Sequence, residues 1–429
     1  MDEAPPACNR TDAHAGFTLS GSRARRLRMK QLSRSEQAML DRIEIDAMLP
    51  QVERWCAINT GTRNLEGLAR HAALLADAFA VLPGEVRLVE PTPVEAIAVD
   101  GSRLALDHGR HLVVSVRPDA ARRFLLTGHM DTVYPADHPF QTLTWLEDGV
   151  LGGPGVADMK GGIAVILAAL ATFERSPAAH AVGYDVMINS DEETGSLSSA
   201  PLIAQLAAGK AAALTYEPSA LPDGTLAGAR PGSGNYSAIV SGRSAHAGRN
   251  PQDGRNAILA AAALALKLGE AVRDGLSINP ARIDGGSANN VVPDHAILRF
   301  NVRPRTPELA EKFARDLAVI IAATETAHEV SIQLHGAVTR PPKPLDAKAE
   351  ALFGLVRECG EALGQPIRWQ PAGGVCDGNN IAALGVPVVD TMGVRGGAIH
   401  SPAEYLITAS LAERAALSAL VLHRLSGGE

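Results

Sequence analysis

The chain has 429 residues, enough for two or three domains at roughly 100–200 residues each. Hydrophobic residues make up 46% and charged residues 20%, an ordinary globular balance that excludes a disordered chain. The 40 basic and 47 acidic residues leave a net charge of −7, and aromatics reach only 4%. That composition excludes a general nucleic-acid binder, which needs a basic face and stacking rings.

No uninterrupted apolar run reaches the roughly 18 residues of a spanning helix, so no membrane partner is expected. Residues 1–34 read as an arm. Positions 21–34 carry six basic residues and no acid. They lack the apolar stretch of about 7–15 residues that a secretory signal requires. A solvated, partly disordered arm is expected, and a cytoplasmic location. The four cysteines, Cys8, Cys56, Cys359 and Cys376, are scattered and are expected to be free thiols.

Ser33-Arg34-Ser35-Glu36 reads as a capping box. The apolar spacing from 36 to 58 predicts a helix, and 65–82 predicts a second. Short β-rich runs follow at 86–89, 96–99, 111–116 and 124–127. A helix is predicted over 162–174 and a strand over 184–190, ending on an acidic turn. Strands alternating with helices imply an α/β domain with a largely parallel sheet, whose ligands sit at the strands' carboxyl ends. After Glu217 the pattern changes: a strand at 234–242, a helix at 254–273, strands at 278–283 and 296–302, a helix at 306–324 and a strand at 329–334. That β-α-β-β-α-β order is ferredoxin-like. Arg340-Pro341-Pro342-Lys343-Pro344 then returns the chain to α/β patterning. The expected organisation is a catalytic domain in two segments, 35–229 and 342–429, with a smaller α+β domain at 230–341 inserted between them.

Five short segments carry candidate chemistry. Thr127-Gly128-His129-Met130-Asp131 follows a strand and places His129 and Asp131 on one face. Asp131 there can orient the His129 ring as a metal ligand, or the pair is a surface His beside a turn Asp. In the glycine-rich Gly152-Gly153-Pro154-Gly155-Val156-Ala157-Asp158-Met159-Lys160-Gly161-Gly162, Asp158 suits a ligand or a helix N-cap. Asp191-Glu192-Glu193 places three carboxylates after a buried strand, either around a cation or as a solvated turn. Tyr216-Glu217-Pro218-Ser219 and Ile399-His400-Ser401-Pro402 complete the set. A lone Glu or His at such places is usually structural, but the set is more specific than its members: two His, one Asp and two Glu, with a further Glu beside one of them.

Taken together, GHMDTV, DMKGG, DEETGS, YEPS, SAHAG, NNVVPDHAILRFNVRP and IHSP resemble the dinuclear zinc aminoacylase/carboxypeptidase family. The resemblance runs from about residue 36 to the C-terminus. It is strongest toward the glutamate carboxypeptidase group, through DMKGG and YEP. It implies that Asp158 bridges two zinc ions per subunit, with Co or Mn able to substitute. His129 and Glu217 would complete one site, His400 and Glu193 the other. Glu192 would be the general base and Asp131 would orient His129. The resemblance also makes the inserted domain a lid and dimerisation unit, and the protein a homodimer. His246 would reach the partner subunit's active site, and Asn290, Arg303 and Arg340 would hold the substrate. Charge is consistent with this: three ligand carboxylates and one hydroxide neutralise two Zn²⁺.

One departure stands out. The glutamate carboxypeptidases have a lysine near the position of Thr225, whereas here no lysine lies between Lys210 and Lys267. Either Arg230 substitutes for it or the glutamate preference is lost. Cys376 reads as a small buried residue. The expected function is a zinc-dependent hydrolase that acts on a small peptide or N-acyl amino acid and releases an amino acid. A deacetylase or desuccinylase is the alternative substrate choice. A retired binding homologue is the alternative class, and the complete ligand set and Glu192 weigh against it.

Overall fold

The computed structural model describes residues 32–427. Most of the basic arm, and Cys8, lie outside the described residues. Ser33 caps the first helix as expected: its Oγ accepts from the Glu36 N–H at 3.2 Å, and its own N–H donates to Glu36 Oε2 at 2.7 Å.

The helix predicted over 36–58 is instead two helices, α1 (Arg34–Leu40) and α2 (Met48–Cys56), with a short 3-10 turn between them. Pro50 gives the reason. It has no N–H to continue a helix, so it is tolerated only in a first turn, and a new helix starts two residues before it. α3 follows (Leu65–Phe79).

The catalytic sheet then builds up: β1 (Glu85–Val89), β2 (His111–Val116), β3 (Arg123–His129), helix α4 (Gly161–Phe173), β4 (Gly183–Asn189) and β5 (Ala212–Thr215). The inserted unit follows with β6 (Ser233–Ser241), α5 (Ala257–Glu270), β7 (Leu276–Gly285), β8 (His295–Pro304), α6 (Pro307–His328) and β9 (Ser331–Arg340). The chain returns through α7 (Ala347–Ala362), α8 (Asp377–Ala382), β10 (Val388–Val389) and α9 (Ala409–Leu425).

The main sheet has the order β1-β2-β4-β3-β5-β10. β1–β2 and β2–β4 are antiparallel; β4–β3, β3–β5 and β5–β10 are parallel. The parallel part is buried on both faces, as its near-continuous apolar strands require. α4 packs against it. The stretch Val156–Phe173 is apolar enough to span a membrane by composition, but 89% of it is buried inside the molecule, as in a core helix. The hairpin Thr144–Glu147 and Val150–Gly152 went unpredicted.

The inserted unit is a four-stranded antiparallel sheet of order β7-β8-β6-β9 with its own apolar core against α5 and α6. Alternation along β8 puts Ala296, Leu298, Phe300 and Val302 into that core. Arg299, Asn301 and Arg303 then fall on the opposite face. Thr306 caps α6 by accepting from the Leu309 N–H.

The two crossings between the domains run side by side. Arg230 and Lys343 exchange backbone hydrogen bonds at 2.9 and 3.0 Å, and both side chains end on buried Asp390.

Candidate metal centre and active site

The parallel strands deliver their carboxyl ends to one place. β3 ends on His129, β4 on Asn189 just before Asp191-Glu192-Glu193, and β5 just before Tyr216-Glu217. His129 and Asn189 are register partners, so the first two segments start level. Asp158 enters from the glycine-rich loop that opens α4. A Cβ on Gly162 would lie 2.1 Å from the Tyr216 carbonyl, so only glycine lets this loop pack beside Glu217.

Asp158 divides its two oxygens. Oδ1 lies 3.0 Å from His129 Nε2, and Oδ2 lies 3.2 Å from His400 Nε2. Glu217 Oε2 is 3.7 Å from His129 Nε2, and Glu193 Oε2 is 3.1 Å from His400 Nε2. The five residues thus form two half-sites that share Asp158. His129, Asp158 and Glu193 bring one donor atom each within 4.8 Å of one another, as do His129, Glu192 and Glu217. His400 reaches the cluster from a left-handed backbone conformation, φ 60°, uncommon outside glycine and characteristic of functional positions.

The surroundings bias these groups. His129 Nδ1 faces the Asp131 carbonyl at 3.0 Å and its carboxylate at 3.4 Å, which leaves Nε2 aimed at Asp158 and Glu217. Burial works against a charged His129, but Glu217, Asp131 and Asp158 outweigh it and raise its pKa. Hydrogen bonds that His400 donates to the Asp158 and Glu193 carboxylates push its pKa up to about 11. Burial, then repulsion from Asp158, pushes Glu193 up to about 8. Glu192 rises to about 7 through burial, opposed by Arg340. Buried Glu217 Oε1 has no hydrogen-bond partner among the described residues. A divalent cation fits this donor set of imidazole nitrogen and carboxylate oxygen, and it supplies the orphaned oxygen with a partner.

The three adjacent acids divide their work. Asp191 turns away from the cluster and accepts from Ser198 N–H, Ser198 Oγ and Ser199 N–H. Glu193 joins the ligand set, and Glu192 lies beside it. Asp131 holds both in register: its carboxylate accepts the N–H of Glu192 at 3.1 Å and of Glu193 at 3.2 Å, with Thr62 Oγ1 at 2.8 Å.

Two cavities meet at Glu192 and His400. One, of about 720 Å³, lies against the inserted sheet and presents Ser277, Asn279, Asn301 and Arg303. The other, of about 570 Å³, is walled mostly by small or apolar residues, including Ala227, Ala372, Gly374 and Val375.

The remaining candidate residues are placed as follows. Arg340 lines the larger cavity with Arg303 but is only 3% exposed, and it pairs with Glu192 at 2.7 Å and Asp377 at 3.3 Å, two carboxylates that need a counter-charge. Arg230 does line the smaller cavity, but its Nε and Nη2 are engaged by Asp390 and its Nη1 by the Gly374 carbonyl. It cannot stand in for the missing lysine without breaking that pair. Asn290 and His246 are brought together, with Ala247 N–H on the Asn290 carbonyl, but line neither cavity in this single chain. Cys376 is buried beside Asp390, 3.5 Å from Oδ2, as a small buried residue should be.

Glu404 was missed. Buried, it accepts from the backbone N–H groups of Gly155, Ala157 and Asp158, and so braces the loop that presents Asp158. An acid four residues after His400 was the available signal.

Residues 125–424 match the profile of Peptidase family M20/M25/M40. The chain belongs to that family and is a hydrolase of amide or peptide bonds. It is 29% identical over 402 residues to carboxypeptidase G2 of Pseudomonas sp. (strain RS-16), covering 90% of this chain and 91% of the relative. It is 31% identical over 323 residues to succinyl-diaminopimelate desuccinylase of Xanthomonas campestris pv. campestris (strain 8004), covering 70% and 83%. Among solved structures, aminopeptidase PepT of Bacillus cereus ATCC 10987 superposes with a TM-score of 0.68 at 22% identity, covering 89% of this chain and 99% of that one. A dinuclear metal-binding M20 peptidase of Bacillus subtilis gives 0.62 at 14% identity, covering 91% and 99%. At these identities the structures establish the shared fold, a catalytic domain bearing a smaller inserted one.

Glu404→Gln keeps every candidate ligand but weakens the brace on Asp158. We expect lower metal occupancy after dialysis, measured by elemental analysis, with the fold retained by circular dichroism.

Proposed function

We propose that the protein is a dinuclear zinc hydrolase that releases an amino acid with a free α-carboxylate from a peptide or N-acyl precursor. The observation that carries this reading is the pair of unlike cavities meeting at Glu192 and His400. The polar one suits a carboxylate, through Arg303 and the asparagine amides. The other suits the acyl group. Its one Lys or Arg side chain, Arg230, is held by Asp390, which favours an uncharged group there over a glutamate side chain.

His129, Asp158 and Glu217 would hold one ion, and His400, Asp158 and Glu193 the other. When bound, two such ions would polarise a scissile carbonyl and lower the pKa of a bound water to about 7. Glu192 accepts the proton of the attacking water and delivers it to the leaving nitrogen. Asp131 keeps His129 oriented throughout. Arg303 has its Nε on Asn301 and its Nη1 on the Gly373 carbonyl, which leaves Nη2 for a substrate carboxylate. In a homodimer paired through the inserted domains, His246 of one protomer would stabilise the oxyanion in the other's site.

The deciding experiment is turnover of zinc-loaded protein on a panel of dipeptides and of N-acetyl and N-succinyl amino acids. Because the relatives include a peptidase and a desuccinylase, the panel separates the two substrate classes. Chelation should abolish turnover and zinc should restore it. Glu192→Gln should keep its metal and lose about 10²–10⁴-fold in kcat. Near-normal turnover in that variant assigns the base elsewhere.

Arg303→Lys should lower kcat/KM by roughly 10- to 150-fold on substrates with a free carboxylate, because lysine lacks the planar fork. It should matter far less when that carboxylate is amidated. Equal losses on both would make Arg303 structural.

Mixing His246→Ala chains with Glu192→Gln chains, each inactive alone, should recover part of the activity once subunits exchange. No recovery after verified exchange places His246 outside the partner's site.

A further inference from the structure

Arg340 is the last residue of β9, at the point where the inserted domain rejoins the catalytic one. Pro341 and Pro342 follow it, and Ser233, the first residue of β6, is its partner across the sheet. It therefore belongs to the hinge. The start of α8 clips this hinge in place: Asn379 Nδ2 donates to the carbonyls of both Pro231 and Pro341, and Asn380 Nδ2 to that of Thr339.

The Arg340 side chain leaves the hinge for the active site. Nη2 lies 2.7 Å from Glu192 Oε1, 2.9 Å from the Glu192 carbonyl and 3.0 Å from Ser196 Oγ. Nη1 lies 3.3 Å from Asp377 Oδ1. Ser196 Oγ also donates to Asp377, and Asn189 Nδ2 donates to the other Asp377 oxygen at 2.6 Å. Arg340 is the one Lys or Arg within ion-pair distance of the Glu192 carboxylate among the described residues. It lines the larger cavity but is only 3% exposed, with both terminal nitrogens already engaged by the Glu192 and Asp377 groups.

We propose that Arg340 is a positioning residue for Glu192, fixing the carboxylate that moves the proton, and that Asp377 and Ser196 brace Arg340 from behind. The inference rests on the reading of Glu192 as the base. A guanidinium holding one oxygen of Glu192, together with its own main-chain carbonyl, fixes the side-chain torsions and leaves the second oxygen for the water. Because the guanidinium is carried by the hinge, the position of the inserted domain and the placement of the base are mechanically linked.

The test uses the zinc-loaded full-length enzyme and two substrates, one with a free α-carboxylate and one with it amidated. Glu192→Gln is measured first, and near-normal turnover there overturns the base assignment itself. With that assignment standing, Arg340→Ala should lose about 10²-fold in kcat, the scale of a displaced catalytic group, with KM little changed. The metal content should stay that of the wild type, and the fold loss should be the same on both substrates. Millimolar guanidinium should restore part of the Arg340→Ala rate and none of the Glu192→Gln rate. A raised KM confined to the free-carboxylate substrate would overturn the proposal and make Arg340 a substrate-binding arginine. If Arg340→Ala does not fold, Asp377→Asn keeps the guanidinium and removes its charged brace. It should lower kcat about tenfold on both substrates, and an unchanged kcat overturns the proposal.

Discussion

Too many carboxylates in too little space is the condition that organises this protein. Asp131, Asp158, Glu192, Glu193 and Glu217 are buried or nearly so and gather at one end of a parallel sheet. Carboxylates at such range raise one another's pKa unless something positive or a set of N–H donors intervenes. Each has its own compensation. Asp158 is shared between two imidazoles, Asp131 takes two backbone N–H groups and a threonine hydroxyl, and Glu192 takes an arginine. Glu193 and Glu217 have only their histidines, and they are candidate ligands on opposite half-sites. The compensation stays incomplete where a cation is to sit.

That condition explains features that look unrelated. A second layer of acids, Glu404, Asp377 and Asp390, lies behind the first, and none of these faces a candidate ion as a ligand. Glu404 collects the N–H groups of the Asp158 loop, and its own pKa is pushed up to about 7 by burial and by Asp158. Asp377 holds Arg340. Asp390 holds Arg230 and Lys343, the two chain crossings. Glu404 and Asp377 thereby set the positions of Asp158 and Glu192, and Asp390 that of the two chain crossings. Breaking one partner of such buried pairs is costly, since it strands the other charge.

Much of the site could be read from sequence because its residues follow strand ends, where a hydrophobic run stops on a short polar motif. His129, Glu192 with Glu193, and Glu217 all follow that rule, and the inserted unit's β-α-β-β-α-β order came from alternation and helical spacing alone. The second layer could not be read this way. Arg340 and Glu192 are 148 residues apart, and Arg230 and Asp390 160 apart. Nothing in a linear pattern distinguishes an arginine that meets substrate from one that meets a buried acid. The broken helix between 36 and 58 failed for a local reason: helical periodicity persisted through Pro50, but the hydrogen-bond ladder could not.

The hinge shows how the two layers are joined. An inserted domain that only capped the site could connect through any flexible pair of strands. Here each crossing strand carries a buried cation, and those cations end on catalytic-domain acids. Arg230 and Lys343 share Asp390 at 2.7 and 3.0 Å, so the two strands are pinned at a common point. Arg340 lies three residues before Lys343 and reaches past that pin to Glu192. Arg303 stands at the same end of the inserted sheet: the next residue, Pro304, accepts from the Gly232 N–H at 2.7 Å, and Arg303 and Arg340 line one cavity. One pinned crossing thus places two arginines of the inserted domain, Arg340 with its guanidinium on Glu192 and Arg303 with a free nitrogen toward the cavity.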